Sequence, residues 1–179
     1  MEQVKILVVY DSVTGNVELM AHSVAEGARE AGASVALKRV EEVNPNELGS
    51  YDGFAFGSPT HYGLMSLKMS EFFNHSLGKY WGKLKYKVAV AFTSSGGLSG
   101  GNEMALLSLI GAILNFGMVT FGVPDYVAPG VTLHYGAVAI GKPDDANLRA
   151  CRLLGKKLVE HVKIIKAGIK SLDENDINL

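Results

Sequence analysis

Three short apolar runs, residues 4–10, 54–57 and 88–93, are unbroken rather than alternating, and they limit what this chain can become. A strand that is apolar on both sides must be covered on both sides, which is the condition of a parallel sheet held between helical layers. Helical spacing fills the intervals. Val17, Met20, Ala21, Val24, Ala25, Ala28 and Ala31 recur at three and four residues, with Gly32 where a carboxy-terminal cap belongs. Met69, Phe72, Phe73 and Leu77 mark another helix, and Leu148, Cys151, Leu154, Leu158, Val162 and Ile165 a last one. Residues 35–40 add a strand.

Strands alternating with helices predict an α/β fold, a doubly wound five-stranded parallel sheet in the order 2-1-3-4-5 with helices on both faces. The 179 residues suffice for one domain over 1–170, followed by a polar tail over 171–179. Residues 104–124 carry no charge and approach the ~20 needed to span a bilayer. Their period changes midway, however, and Gly111, Asn115, Gly117 and Gly122 interrupt them. The segment therefore reads as a buried helix through Leu106, Ile110, Ile113 and Leu114, then a core strand over 118–123. The stretch 123–136, containing Gly and Pro, is expected to interrupt the fifth strand.

Seventeen Lys and Arg against eighteen Asp and Glu leave a net charge of −1, which excludes the footprint of a nucleic-acid binder. The apolar run 6–10 is too short for an export signal and stops at Asp11, and a lone cysteine, Cys151, suits a reducing compartment. A cytoplasmic protein is expected. His22, His75 and His161 lack a second histidine four residues on, so no metal site is expected. Met65, Met69, Met104 and Met118 read as core fillers, and Glu41 and Glu42 as a solvated turn.

In such sheets ligands bind beyond the carboxyl ends of the strands. After the first strand come Asp11, Ser12, Val13, Thr14, Gly15, Asn16 and Val17. Backbone N–H groups at the helix start, with the hydroxyls of Ser12 and Thr14 and the amide of Asn16, suit a monophosphate; the same residue types also serve as plain helix caps. Neither GxxxxGK[ST] nor GxGxxG occurs. After the third strand stand Pro59, Thr60, His61, Tyr62 and Gly63, and after the fourth Ser94, Ser95, Gly96, Gly97, Leu98 and Ser99. Glycine-rich loops bring backbone groups against the edge of a flat heterocycle, with Tyr62 and Leu98 available for its faces; as single features they would be ordinary tight turns.

S-x-T-G-N after the first strand, G-S-P-T-x-Y-G after the third and S-S-G-G-x-x-G-G before the following helix resemble the flavin-binding loops of the flavodoxin-like NAD(P)H:quinone oxidoreductases of the WrbA type. The likeness covers nearly the whole chain and extends to Phe116-Gly117-Met118-Val119, to Tyr135-Gly136-Ala137 and to Trp81. It implies a flavodoxin-like fold and FMN as cofactor. Ser12, Val13, Thr14, Gly15, Asn16 and Val17 would hold the phosphate. Pro59, Thr60, His61, Tyr62 and Gly63 would meet the flavin edge and one face, and Ser94, Ser95, Gly96, Gly97, Leu98 and Ser99 the pyrimidine side, with Phe116 nearby. Trp81 would line the substrate side from its own or a neighbouring subunit. NAD(P)H and a quinone would be substrates and a homo-oligomer, tetramer or dimer, the assembly. The chain departs from the family's usual arginine at His61, histidine at Phe116 and aromatic residue at Thr14, so His61 is expected to tune the flavin and no side chain to act as a catalytic acid or base.

Two other functions fit parts of the chain. A flavodoxin-type one-electron carrier shares the loops, but such carriers dock through acidic surfaces. A serine hydrolase could use Ser99 in the formal G-x-S-x-G of residues 97–101, with Asp125, Asp144 and His161 downstream; yet five residues separate Ser99 from Thr93, and His161 lies in a helical pattern.

Overall fold

The computed structural model describes residues 3–172. In chain order the elements are β1 Lys5–Tyr10, α1 Asn16–Glu30, β2 Ser34–Arg39, β3 Gly53–Pro59, α2 Leu67–Glu71, β4 Val88–Ser95, α3 Asn102–Asn115, β5 Val123–Ala128, β6 Val131–Leu133, β7 Ala137–Ile140 and α4 Asp145–Ser171. The main sheet has five strands in the order β2-β1-β3-β4-β7, parallel throughout. This is the flavodoxin-like arrangement anticipated from the apolar runs.

Each buried strand feeds two cores. Ile6, Val8 and Tyr10 of β1 pack with α1 and α4, whereas Leu7 and Val9 pack with α2 and α3. Period-two alternation thus persists, but both faces are apolar because both are covered. α1 and α4 cross so closely that a Cβ on Gly155 would lie 2.0 Å from the Val24 carbonyl oxygen, and one on Gly27 1.9 Å from that of Arg152. α2 continues through wider and then tighter helical turns to Tyr80, burying Met69, Phe72, Phe73 and Leu77 as their spacing required.

The fifth strand departs from expectation. Of residues 118–123, only Val119 bridges β4, with its N–H donating to the Lys87 carbonyl at 2.9 Å and its carbonyl accepting from Ala89 N–H at 2.8 Å. The chain then leaves to form the β5–β6 hairpin and returns as β7 against Phe92–Ser95. One strand position in the sheet is therefore filled in two halves.

α3 also corrects two expectations. Leu106, Leu109 and Ile113 are buried, but Met104 is 59 % and Leu114 56 % exposed, so Met104 is no core filler and the helix is not buried all round. Its outward side carries an apolar stripe of Met104, Leu107 and Leu114. Among the described residues no helix is long and apolar enough to cross a membrane. α4 reaches Ser171, one residue into the expected polar tail; residues 173–179 of that tail lie outside the described residues.

Candidate functional site

The loop between β1 and α1 forms a cradle. Gly15, at φ 85°, precedes the helix without offering a side-chain cap, and a Cβ there would meet nothing within 4 Å. Ser12 takes the capping duty instead: its Oγ accepts from Gly15 N–H at 3.1 Å and Glu18 N–H at 3.3 Å. Thr14 and Asn16 make no such bond, and the N–H groups of Thr14, Asn16 and Val17 meet no protein acceptor among the described residues. Unused donors gathered at the positive end of a 15-residue helix are what a monophosphate needs.

A cavity of about 220 Å³ opens there, lined by Ser12, Val13, Thr14, Asn16 and Val17 from this loop, Pro59, Thr60 and His61 from the next, and Ser94, Ser95 and Gly96 from the third. The three loops singled out in the sequence thus share one site. Thr60 is fixed by its N–H to the Ser94 carbonyl at 2.9 Å and by a hydroxyl contact with Thr93 at 3.0 Å. Ser94 and Ser95 direct their hydroxyls to the carbonyls of Gly141 and Gly97, and their own carbonyls accept from Thr60 and Gly141 N–H, which fixes this end of β4 against the cavity. His61 and Leu64 exchange backbone hydrogen bonds at 2.9 Å across a two-residue turn with Tyr62 at φ 53° and Gly63 at φ 79°. Positive φ at a bulky residue is strained, and here it thrusts Tyr62 fully into solvent. The loops after β3 and β4 touch through glycines: a Cβ on Gly101 would lie 2.9 Å from Gly63 Cα.

Other expected site residues lie apart from this cavity. Leu98, 84 % exposed, and Ser99 line a larger cavity of about 640 Å³ on the side toward β7 and the β5–β6 hairpin, where Asn102 is buried with its Oδ1 unpartnered. Phe116 is 7 % exposed and stacks at tilted and edge-on angles with Phe73 and Trp81, at centroid distances of 6.0 and 5.3 Å. Trp81 is 65 % exposed and shares with Phe116 a third cavity between α2 and α3. Phe116 follows the far end of α3, ~20 Å along the axis from the loop before it at 1.5 Å per residue, so one subunit does not bring Phe116 or Trp81 to the cradle.

Ser99 gains no hydrolase machinery. The His161 ring lies flat on Phe121, 3.6 Å between centroids, with Nδ1 2.8 Å from the Lys157 carbonyl of its own helix. Asp144 caps α4 by accepting from Asn147 N–H at 2.8 Å, ~25 Å along that helix from His161. Among the described residues no group of three His, Cys, Asp or Glu side chains could hold a metal ion. Cys151 is fully buried, which pushes its thiol up to about 12 and leaves it inert at neutral pH.

Three residues beside the cradle escaped the sequence reading. Arg39, at the tip of β2, pairs in register with Tyr10 and donates to the Ser12 carbonyl at 3.3 Å and to Glu18 at 2.7 Å; Tyr10 donates its hydroxyl to the same carboxylate at 2.9 Å. Glu18 could have been flagged as an acid in the first turn of an anion-binding helix, but its partners come from other strands.

A doubly wound sheet with a cradle of unused backbone donors and glycine loops at its switch point is the arrangement of a nucleotide-type cofactor fold. Residues 8–142 match the family model described as Flavodoxin, and the chain belongs to the flavodoxin family, whose cofactor is FMN. A protein of Aquifex aeolicus named flavodoxin is 49 % identical over 172 residues, covering 95 % of this chain and 93 % of the relative. One from Archaeoglobus fulgidus, named NAD(P)H dehydrogenase (quinone), is 36 % identical over 188 residues, covering 87 % and 96 %. Among solved structures, a flavodoxin from the domain Archaea superposes with a TM-score of 0.75 at 28 % identity, covering 89 % of this chain and 99 % of that one. The WrbA-like flavodoxin of Agrobacterium tumefaciens gives 0.73 at 25 %, covering 90 % and 99 %.

Proposed function

We propose that the protein is an FMN-dependent oxidoreductase that takes hydride from NADH or NADPH and passes two electrons to a quinone. The observation carrying this reading is the turn beside the cradle: next to His61, which lines it, Tyr62 is wholly exposed and Leu64 more than half exposed, and Met104, set against Gly63 of the same turn, is also more than half exposed. An apolar, mainly uncharged rim suits small neutral aromatic substrates, whereas protein-to-protein electron carriers dock through charge. The relatives named NAD(P)H dehydrogenase (quinone) support it.

FMN, when bound, supplies the hydride acceptance and electron delivery. The chain's part is to bind and orient. The N–H groups of Thr14, Asn16 and Val17, with the Thr14 hydroxyl, would hold the phosphate; the segments 59–63 and 94–99 would meet the ring edge, and Tyr62 and Leu98 its faces. His61, exposed at the cavity rim, bears on the flavin's electrostatics and transfers no proton. The site works in a homo-oligomer, a tetramer or dimer, in which the apolar stripe on α3 and Trp81 are covered by a second copy and Trp81 reaches a neighbour's substrate side. The setting is cytoplasmic, with no nucleic acid or membrane as partner.

Steady-state oxidation of NADH and NADPH with a soluble quinone by FMN-loaded protein tests the activity, and turnover at or below that of free FMN refutes it. The second reading, a one-electron carrier, is favoured by the name of the 49 % identical relative. It predicts two well-separated one-electron steps in a potentiometric titration and negligible NAD(P)H turnover. Light scattering of wild type and Trp81→Ala tests the assembly, and a wild-type monomer at micromolar concentration removes it.

A further inference from the structure

Glu18 poses an electrostatic problem. Its carboxylate lies in the first turn of α1, and its own N–H is bonded to Ser12 Oγ, the hydroxyl that shapes the cradle. An acid there suits the helix dipole but repels any phosphate dianion placed against the same turn. Its partners answer the problem. Arg39 Nη2 bonds Glu18 Oε2 at 2.7 Å, Nη1 reaches the Ser12 carbonyl at 3.3 Å, and the guanidinium carbon lies 5.3 Å from the Tyr10 ring centroid, which fixes its plane. Tyr10 holds the other carboxylate oxygen. Its hydroxyl, pushed up to about 12 by burial and then by Glu18, stays a donor at any physiological pH. Both Arg39 and Glu18 side chains are about one-third exposed, so water screens the pair only in part.

We infer that Arg39 is a positioning residue for the phosphate end of the cofactor: it neutralises Glu18 and ties the Ser12 carbonyl back, so that the loop between β1 and α1 presents only donors to an anion. This rests on the FMN reading. Arg39 need not touch the phosphate, and it leaves the flavin ring alone. Its effect therefore falls on FMN and not on riboflavin, which carries no phosphate.

Dissociation constants of FMN and riboflavin are measured by flavin-fluorescence quenching for wild type, Arg39→Met, Glu18→Gln, the double variant and Arg39→Lys, with circular dichroism reporting folding. Arg39→Met is expected to weaken FMN at least about tenfold and riboflavin less than about twofold, since the Glu18 carboxylate, left with Tyr10 alone, then keeps an uncompensated charge in the helix turn that meets the dianion. Adding Glu18→Gln should recover most of the loss, because the offending charge is gone. Arg39→Lys should fall between, keeping the charge but not the forked reach to Ser12 and Glu18. The Arg39→Met loss should shrink as ionic strength rises past the range where the Debye length is ~10 Å. If wild type binds FMN no more tightly than riboflavin, the phosphate cradle itself fails. If wild type discriminates but Arg39→Met keeps the same ratio, only the role of Arg39 fails. A double variant no better than Arg39→Met would show that Arg39 merely shapes the loop, and would overturn the charge argument. Should Arg39→Met not fold, Arg39→Lys and Glu18→Gln carry the same comparison.

Discussion

Thr14 and Ser12 sit two residues apart in the cradle and should respond differently to loss of their hydroxyls. Thr14 is exposed, lines the cavity and makes no side-chain bond among the described residues, so Thr14→Ala leaves the apoprotein's packing and capping intact. Its only cost is a charge-assisted hydrogen bond to a dianion, about 1.5 to 3 kcal/mol, or about 10- to 150-fold in FMN affinity. Ser12 already accepts from two backbone N–H groups, so Ser12→Ala also removes the helix cap, which is worth ~1 kcal/mol of fold stability. The expected pattern is a lower FMN affinity with unchanged melting temperature for Thr14→Ala, and losses in both for Ser12→Ala. Fluorescence titration with FMN and riboflavin, alongside thermal unfolding of the apoproteins, reads all four quantities. Equal affinity of the wild type for FMN and riboflavin would refute the reasoning, because the loop would then be a cap and nothing more.

Two further predictions concern the frame that holds the cradle. Gly155→Ala drives a Cβ to 2.0 Å from the Val24 carbonyl oxygen and 2.9 Å from Ala28 N, backbone on both sides, so α1 and α4 must separate. The gain in helix propensity of ~1 kcal/mol is outweighed, and a net loss of at least about 2 kcal/mol should lower the melting temperature by roughly 4–8 °C; no change would mean the helices slide apart freely. Cys151, held up to about 12 by burial, should resist iodoacetamide at pH 8 in the native protein and react only as fast as the protein unfolds. Because the folded thiol keeps its proton, its contribution to stability is complete below the unfolded thiol's value of ~8.5 and is lost as pH rises toward 12. Cys151→Ala should remove that part of the alkaline decline in urea-unfolding free energy, and an unchanged slope would rule the thiol out.

What could be read from the sequence follows distance along the chain. The cradle was legible because its donors are contiguous: Thr14, Gly15, Asn16 and Val17 follow a strand that ends at Tyr10, and a phosphate turn needs only such a run. The sheet order was legible because uniformly apolar strands separated by helices leave few right-handed ways to wind. The split fifth strand was half legible. Gly122, Pro124 and Gly130 announced an interruption, but nothing local says that Val119 alone would bridge β4 before the chain returned at Ala137.

Arg39 lies at the other extreme. It stands 27 residues from Ser12 and reaches it only because β2 pairs with β1 in the register that sets Arg39 beside Tyr10. In isolation the segment 38–42 is a charged strand end, as solvated as Glu41 and Glu42 were expected to be. Phe116 and Trp81 show the same limit in the opposite sense. Their positions matched a family pattern, yet the direction of α3 carries Phe116 to the far end of the sheet from the loops it was grouped with. A helix of 14 residues converts a spacing in sequence into ~20 Å of separation, and only a second copy of the chain could close it. If this family's substrate face does use both residues, assembly is then a requirement of the site and not an accessory to it. Dilution of the FMN-loaded protein below its dissociation concentration should consequently abolish quinone reduction while FMN remains bound. Undiminished turnover by a proven monomer would place the whole site within one subunit.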